Sequence, residues 1–316
     1  MYNALLSDFS PAAIAASGQC FRMRETAAGW SLIAGGRYLE IRPGDAPDAF
    51  VFSCTRAEFD AFWRAYFDLD TDYAPFRARC LKRDAYLQAA CRYGAGLRIL
   101  RQDPWEMLVS FIISQRKSIP AIRRAVEELC RACGAPLDPG QAERRAFPTP
   151  AALVCAGPDR LAECGLGYRA GYVYDAACRV HSGELDLAAL ADRPTDQLRE
   201  ALMEVRGVGI KVAQCVALFG YHRLEALPVD VWVDRILKQH YPGGFPRRYA
   251  PLRRGAAAVS FLLRPLRRRL TRRRTRPLTA RPAPAPPGPA AGGSRPLFRF
   301  PRAILSLLFH SPGQGS

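Results

Sequence analysis

The stretch Leu202-Met-Glu-Val-Arg-Gly207-Val-Gly209-Ile-Lys211-Val-Ala-Gln-Cys215, followed by Pro228-Val-Asp230-Val-Trp-Val-Asp234-Arg235, decides the reading of this chain. Leu198, Ala201, Leu202 and Val205 recur at helical spacing, with Thr195 standing where an N-cap is expected. Gly207 and Gly209 break that helix and allow positive φ. Val212, Val216 and Phe219 mark a second apolar helix. The pattern is a helix–hairpin–helix, whose tight turn and helix N-terminus offer backbone N–H groups to an anion.

Each part alone has a bland reading. A Gly-x-Gly between helices is an ordinary turn. Lys211 is then a surface lysine, and Asp230 merely caps a helix running from Val231 to Gln239. Taken together, the spacing sets an amine beside an anion cradle and brings one carboxylate back to it. Lys211 opens the second helix, where the positive end of the dipole disfavours an ammonium, and partial burial is expected to disfavour it further. A neutral lysine is a nucleophile that forms Schiff bases.

Several separated motifs resemble those of the helix–hairpin–helix DNA glycosylases, in the 8-oxoguanine DNA glycosylase/lyase branch. Ser17-Gly18-Gln19-Cys20-Phe21-Arg22 is similar to that family's Gly-Gln-Ser-Phe-Arg segment. Gln102-Asp103-Pro104-Trp105-Glu106 leads into Ser110-Phe111-Ile112-Ile113-Ser114, similar to its central helix. Gly165-Leu166-Gly167-Tyr168-Arg169-Ala170 resembles its wedge loop. The hairpin with Lys211, and Pro228-Val229-Asp230-Val231, complete the set in the same order.

The resemblance implies roles. Lys211 would attack the anomeric carbon of the damaged nucleotide, and the Schiff base would permit β-elimination of the strand. Asp230 would stabilise positive charge on the sugar. Gly18 would offer its carbonyl to the N7 hydrogen that distinguishes 8-oxoguanine, and Cys215 would stack on the flipped base. Tyr168 would wedge into the duplex and Arg169 would face the orphaned partner base. Gly207 and Gly209 would hold DNA phosphate. Extruding a base costs a few kcal/mol, and aromatic wedges with cations offset part of it. The chain departs from the pattern in places. Gln115-Arg116-Lys117-Ser118 stands where animal members have asparagines, which makes Arg116 the candidate donor to the orphaned base. Trp232 replaces a histidine and Cys20 a serine.

Two alternatives compete: an alkylated-purine glycosylase of the same superfamily, and a non-catalytic DNA-binding module. The first usually lacks the lysine. The second would use the hairpin for phosphate alone.

The 316 residues carry a formal charge of +17 and ten scattered cysteines. Only Cys130-x-x-Cys133 is closely spaced, inside an apparent helix, so neither a metal site nor a cofactor is expected. No cysteine follows Cys215, which leaves no material for a four-cysteine iron–sulfur loop there. Unpaired cysteines and the lack of a signal pattern point to a cytoplasmic protein, nucleoid-associated or nuclear, and not a secreted one. No uncharged apolar run reaches ~18 residues, so no membrane span is expected. The expected partner is double-stranded DNA containing damaged bases, bound by a monomer.

The fold class expected is α+β. Residues 1–83 form a small antiparallel β domain with a flanking helix, and residues 84–250 a helical two-lobed body. Trp30-Ser-Leu-Ile-Ala, Arg37-Tyr-Leu-Glu-Ile-Arg and Phe50-Val-Phe-Ser-Cys read as strands separated by Gly-Gly and Pro-Gly-Asp. Thr55 and Glu58 form a capping box, and Asp103-Pro104 a cap followed by proline at the first helical position. Helices are expected near 105–114, 119–133, 150–154, 158–164, 169–182 and 195–205.

Residues 251–316 contain 14 Arg and no Lys, Asp or Glu, leaving 32 basic against 29 acidic residues in 1–250. The globular part is therefore nearly balanced at +3. DNA affinity then needs a local basic face, with Arg116, Lys117, Arg169, Arg206 and Lys211 as candidates. The Arg/Pro-rich segment is expected to be a disordered tail. One reading makes it a basic DNA-binding arm. The preferred reading is a change of reading frame near codon 251. With suitable synonymous codons, a one-nucleotide shift turns residues 251–264 into a sequence resembling the family's last helix, which reads the damaged base through a Gln and a Phe.

Overall fold

The computed structural model describes residues 1–75, 84–138, 140–226, 228 and 231–243. Asp230 and the whole segment 251–316 lie outside the described residues, and with them the expectations of a second catalytic group and a disordered, out-of-frame tail.

The N-terminal part is a five-stranded antiparallel sheet, β1 Tyr2–Leu5, β2 Met23–Thr26, β3 Gly29–Ala34, β4 Arg37–Pro43 and β5 Ala49–Phe52, ordered β1-β5-β4-β3-β2. The register sets Met23 opposite Leu32 and Leu32 opposite Leu39 in one row. Trp30, Ile41, Phe52 and Tyr2 make the next. Because alternate side chains share a face, this builds one apolar surface. The helical run α2, comprising Arg56–Glu58, Phe59–Trp63 and Arg64–Tyr66, covers it with Phe59, Trp63 and Tyr66. Phe52 and Phe59 meet with ring centroids 4.7 Å apart.

The capping box is only half formed. The Glu58 N–H donates to Thr55 Oγ1 at 3.1 Å, but the Glu58 carboxylate accepts from Trp63 Nε1 at 3.0 Å. A buried tryptophan N–H needs an acceptor, so it takes the carboxylate that would have closed the box.

The helix α1, Pro11–Ser17, ends at Gly18 in the left-handed conformation (φ 78°). Beyond it, fully buried Gln19 stitches the sheet domain to the helical body. Its Nε2 donates to the Arg98 carbonyl (2.9 Å), its Oε1 accepts from the Leu100 N–H (2.9 Å), and its own carbonyl accepts from Gln102 Nε2 (2.8 Å). Buried Asp68 forms a second tie, to Arg101 Nε (2.8 Å), Tyr73 Oη (2.8 Å) and His222 Nε2 (3.3 Å). Burial pushes the Asp68 carboxyl up, yet His222, Tyr73 and Arg101 together hold it below the usual carboxylate value.

In the body, α3 spans Ala85–Tyr93, α4 Pro104–Ser114, α5 Ile119–Cys133, α6 Pro150–Leu161, α7 Arg169–His181, α8 Thr195–Met203, α9 Ile210–Phe219 and α10 Val231–His240. The helix α4 starts as its sequence requires, with Asp103 Oδ1 accepting from the Glu106 N–H at 2.8 Å and Pro104 in the first turn. Every residue from Trp105 to Ser114 is buried. A helix apolar all round belongs inside, and α5, α7 and α9 pack against it. Phe111 stacks on Phe219 of α9 at 5.7 Å and meets Phe21 at 5.6 Å. Buried in the same helix, Glu106 has its carboxyl pushed up to about 7 by desolvation, against the pull of Arg22.

One local expectation is corrected. Thr195 is not the cap of α8: Pro194 holds that position, and the Thr195 hydroxyl pairs with the Glu225 carboxylate instead. The two helices expected across residues 150–164 are present: the run Pro150–Leu161 is broken at Gly157, whose φ of 75° is not helical, beside Pro158. The break is where the sequence placed the gap, because proline removes a backbone donor there.

Candidate active site

Three loops converge at one end of the helical body. The first follows α4 at Gln115-Arg116-Lys117. The second, Gly165 to Tyr168, precedes α7. The third is the hairpin Arg206 to Gly209 between α8 and α9.

The hairpin forms as its glycines require. Gly207 lies at φ 82°, and Gly209 is the N-cap of α9 with no side chain to fill the cap. The first-turn N–H groups of a helix lack intrahelical acceptors, so this end is suited to phosphate. A Cβ added at Gly207 would stand 2.3 Å from Tyr172 Cδ2, so the aromatic ring of α7 packs directly under the turn. Lys211 is exposed in the first turn of α9. The expectation of partial burial is corrected, because the second residue of a helix that begins at the surface faces solvent. Cys215 is buried one turn further on, and residues four apart share a helical face.

The wedge loop turns through Gly165 (φ 73°) and Gly167 (φ 58°). Tyr168 is 55 % exposed at its end, a high value for an aromatic ring that adjoins the core. Its ring meets Tyr172 edge-on at 5.8 Å. Ile210, which follows the hairpin, is 49 % exposed.

Arg169 departs from expectation. It is 7 % exposed, and its guanidinium turns inward. Its Nε donates to the Gln115 carbonyl at 2.9 Å, its Nη2 donates to the same oxygen, and its Nη1 donates to the Leu166 carbonyl at 3.2 Å. Both carbonyls end helical turns and lack intrahelical partners, so the buried cation is the natural donor. Arg116 by contrast is exposed at φ 51°, a conformation uncommon outside glycine. Lys117 Nζ donates to the Gly165 carbonyl at 2.7 Å. Burial, and then Arg169, hold the Lys117 ammonium below its ordinary value. Of the expected basic face, Arg116, Arg206 and Lys211 are outward, Lys117 is half-buried, and Arg169 is not outward at all.

Bonds and ring contacts thus tie together Gln115, Tyr168, Arg169, Tyr172 and Gly207, and Arg116, Gly209 and Lys211 stand next to these along the chain. Among the described residues Gly18 is linked to the site through the core: Gln102 bonds to Gln19 and donates its N–H to the Phe219 carbonyl at the far end of α9 (3.0 Å). Sequence reasoning passed over Gln115 and Tyr172. Gln115 Nε2 donates to the Gly207 carbonyl at 2.9 Å across 92 residues of chain. Tyr172 had a local signal, standing four residues after Tyr168 on a helix. Among the described residues no group of three or more His, Cys, Asp or Glu could hold a metal ion.

This is the architecture of a helix–hairpin–helix DNA-repair protein. Residues 1–108 match the 8-oxoguanine DNA glycosylase N-terminal domain, and residues 109–245 match the HhH-GPD superfamily base excision DNA repair protein. The fold superposes on MBOgg1 in complex with a low-affinity DNA ligand, with a TM-score of 0.73 and 34 % identity, covering 82 % of this chain and 92 % of that one. It also matches the Clostridium acetobutylicum 8-oxoguanine glycosylase/lyase bound to duplex DNA with cytosine opposite 8-oxoG. There the TM-score is 0.75 and the identity 31 %, over 84 % and 93 % of the two chains. A curated relative, a probable N-glycosylase/DNA lyase of Methanothermobacter thermautotrophicus, is 32 % identical over 197 residues, 56 % of this chain. The match spans 62 % of that relative's length. The chain belongs to the HhH-GPD superfamily, and within it to the 8-oxoguanine DNA glycosylase branch.

Proposed function

We propose that the chain is a bifunctional DNA glycosylase and abasic-site lyase that removes 8-oxoguanine from duplex DNA. The observation that carries this reading is Lys211, exposed in the first turn of α9, directly after the Gly207–Gly209 hairpin, which the Tyr172 ring joins to exposed Tyr168. The hairpin N–H groups grip a phosphate, Tyr168 fills the stack as the damaged base leaves it, and the Lys211 amine attacks C1′. The C1′–N9 bond breaks and the base departs. The amine loses a proton and the C1′–O4′ bond opens to give a Schiff base, which acidifies the C2′ hydrogen, and removal of that proton expels the 3′ phosphate. Asp230 keeps the role of stabilising positive charge on the sugar, and Gly18 and Cys215 that of meeting the base. The enzyme acts as a monomer on DNA in the cytoplasm or nucleus, with no cofactor.

An alkylated-purine glycosylase does not need an amine nucleophile, and a binding module needs no chemistry. Borohydride reduction with 8-oxoguanine duplex separates the three. The wild-type chain should give a covalent DNA adduct, and Lys211→Gln should give none while retaining most DNA binding. Equal trapping by the variant would assign the chemistry to another residue.

A further inference from the structure

We infer that Ser17 and Arg123 are positioning residues that aim the Gly18 carbonyl, and that they set how well the chain tells 8-oxoguanine from guanine. The inference rests on the glycosylase reading above and deepens it at the group that meets the base.

The helix α1 ends at Gly18, which closes it at φ 78° and ψ 16°, the left-handed conformation that glycine adopts without strain. A helix end leaves its last carbonyls without intrahelical donors, and here two side chains supply them. The Ser17 hydroxyl donates to the Ile14 carbonyl at 2.7 Å. Arg123 reaches across from α5, and its Nη2 donates to the Ala15 carbonyl at 2.8 Å. The Arg123 Nε is buried, so this charge-assisted bond forms where water competes little. The helix α5 opens just after the Gln115-Arg116-Lys117 loop, and Arg123 stands one turn along it. Its bond therefore ties the Gly18 turn to the wall of the candidate site.

Ser17 Oγ is also an acceptor. It takes the Gln19 Nε2 at 2.9 Å and the Gln19 backbone N–H at 3.4 Å. That N–H and the Gly18 carbonyl belong to one peptide unit, whose two polar groups point in opposite directions across a trans bond. Holding the N–H against Ser17 turns the Gly18 oxygen the other way, off the end of α1. The Gln19 carboxamide that grips Ser17 Oγ is itself fixed in the core by the Arg98 carbonyl and the Leu100 N–H, so the hydroxyl has little freedom.

The Gly18 carbonyl accepts from the N7–H of 8-oxoguanine, whereas the N7 of guanine is itself an acceptor. A hydrogen bond depends on angle as well as distance. A carbonyl swung off line loses the distinction between the two bases, while the sugar chemistry at Lys211 does not depend on it.

The test compares Ser17→Ala, Ser17→Thr, Arg123→Met and Arg123→Lys with the wild-type chain. Two quantities are read. One is the ratio of affinities for 8-oxoguanine and guanine duplexes, measured in a Lys211→Gln background so that no strand is cut. The other is the single-turnover rate of cleavage at a preformed abasic site by chains that keep Lys211. Ser17→Ala and Arg123→Met should each lower the ratio roughly 3- to 10-fold, the scale of one hydrogen bond. Guanine affinity and abasic cleavage should hardly change. Ser17→Thr should restore the ratio, because it keeps the hydroxyl. Arg123→Lys should restore part of it, since a single N–H suffices for the Ala15 carbonyl. Two independent substitutions keep the test open where one of them does not fold.

An unchanged ratio in Ser17→Ala or in Arg123→Met would overturn the inference. Equal loss of 8-oxoguanine binding, guanine binding and abasic cleavage would overturn it too, because that marks general support of the fold. A wild-type chain without preference for 8-oxoguanine would take the base-meeting role from Gly18, and the inference with it. Failure of the wild-type chain to give a borohydride adduct would instead sink the glycosylase reading.

Discussion

At the scale of single residues, Gly207 is the point where geometry leaves least freedom. Its φ of 82° is strained for any L side chain, and Tyr172 occupies the space a Cβ would need. Two penalties therefore fall on Gly207→Ala. The positive φ costs of order 1 kcal/mol, and the clash must be relieved by moving an aromatic ring bound into the wedge loop. Gly207→Ala should weaken binding to an abasic-site duplex by more than tenfold if the ring movement transmits to the wedge. Adding Tyr172→Ala should recover stability but not extrusion, because the clash is gone and the coupling with it. Melting temperature and 2-aminopurine fluorescence separate the two, and full recovery of both would show that Tyr172 only fills space. Gly207 and Tyr168 were legible in the sequence for a physical reason: a glycine pair between helices and an aromatic in a glycine loop have few other uses. The inward turn of Arg169 was not legible. Whether a guanidinium meets solvent or a carbonyl depends on Gln115, 54 residues earlier in the chain.

At the scale of elements, the strands β3, β4 and β5 were readable because their apolar residues alternate between polar ones and their turns carry glycine. The edge strands β1 and β2 were not. Met23-Arg-Glu-Thr has one buried residue in four, and its place is settled by pairing with β3. The central helix α4 was legible through Asp103-Pro104, and it carries a testable pH dependence. Its Glu106 carboxyl titrates near 7 when folded, against an ordinary value of 4.5. Between those values the folded state holds a proton that the unfolded state has lost. Stability therefore falls as pH rises through the window, and the penalty is complete above the folded value. Glu106→Gln removes this titration, since an amide stays neutral. The variant should gain on the parent by at most about 3 kcal/mol between pH 4.5 and 8. Urea denaturation at pH 5 and pH 8 measures it, and parallel pH profiles for parent and variant would show that Arg22 already compensates the charge.

At the scale of the whole molecule, charge and chemistry are unevenly distributed along the chain. Residues 1–250 are nearly balanced while 251–316 hold 14 arginines and no acid. A short cluster of outward cations at the loop rim suffices for phosphate contact, so the arginine-rich segment is not required by the proposed mechanism. We propose that it follows a change of reading frame near codon 251 and stands where the family's base-reading helix would be. In the proposed mechanism Lys211 needs only a sugar to attack, whereas selectivity needs a partner for the base itself. The two activities should then respond differently to repair of the frame. A frame-restored chain should excise 8-oxoguanine faster than this one by roughly 10-fold or more, the scale of losing hydrogen bonds and a stacking contact to the base. Cleavage at a preformed abasic site should change much less. Single-turnover rates on the two duplexes, measured side by side, decide the matter. Equal excision by both chains would make the arginine-rich segment a genuine part of the enzyme, and a basic DNA-binding arm would then be its physical reading, recognisable by a steeper loss of affinity with added salt than a chain ending at residue 250 shows.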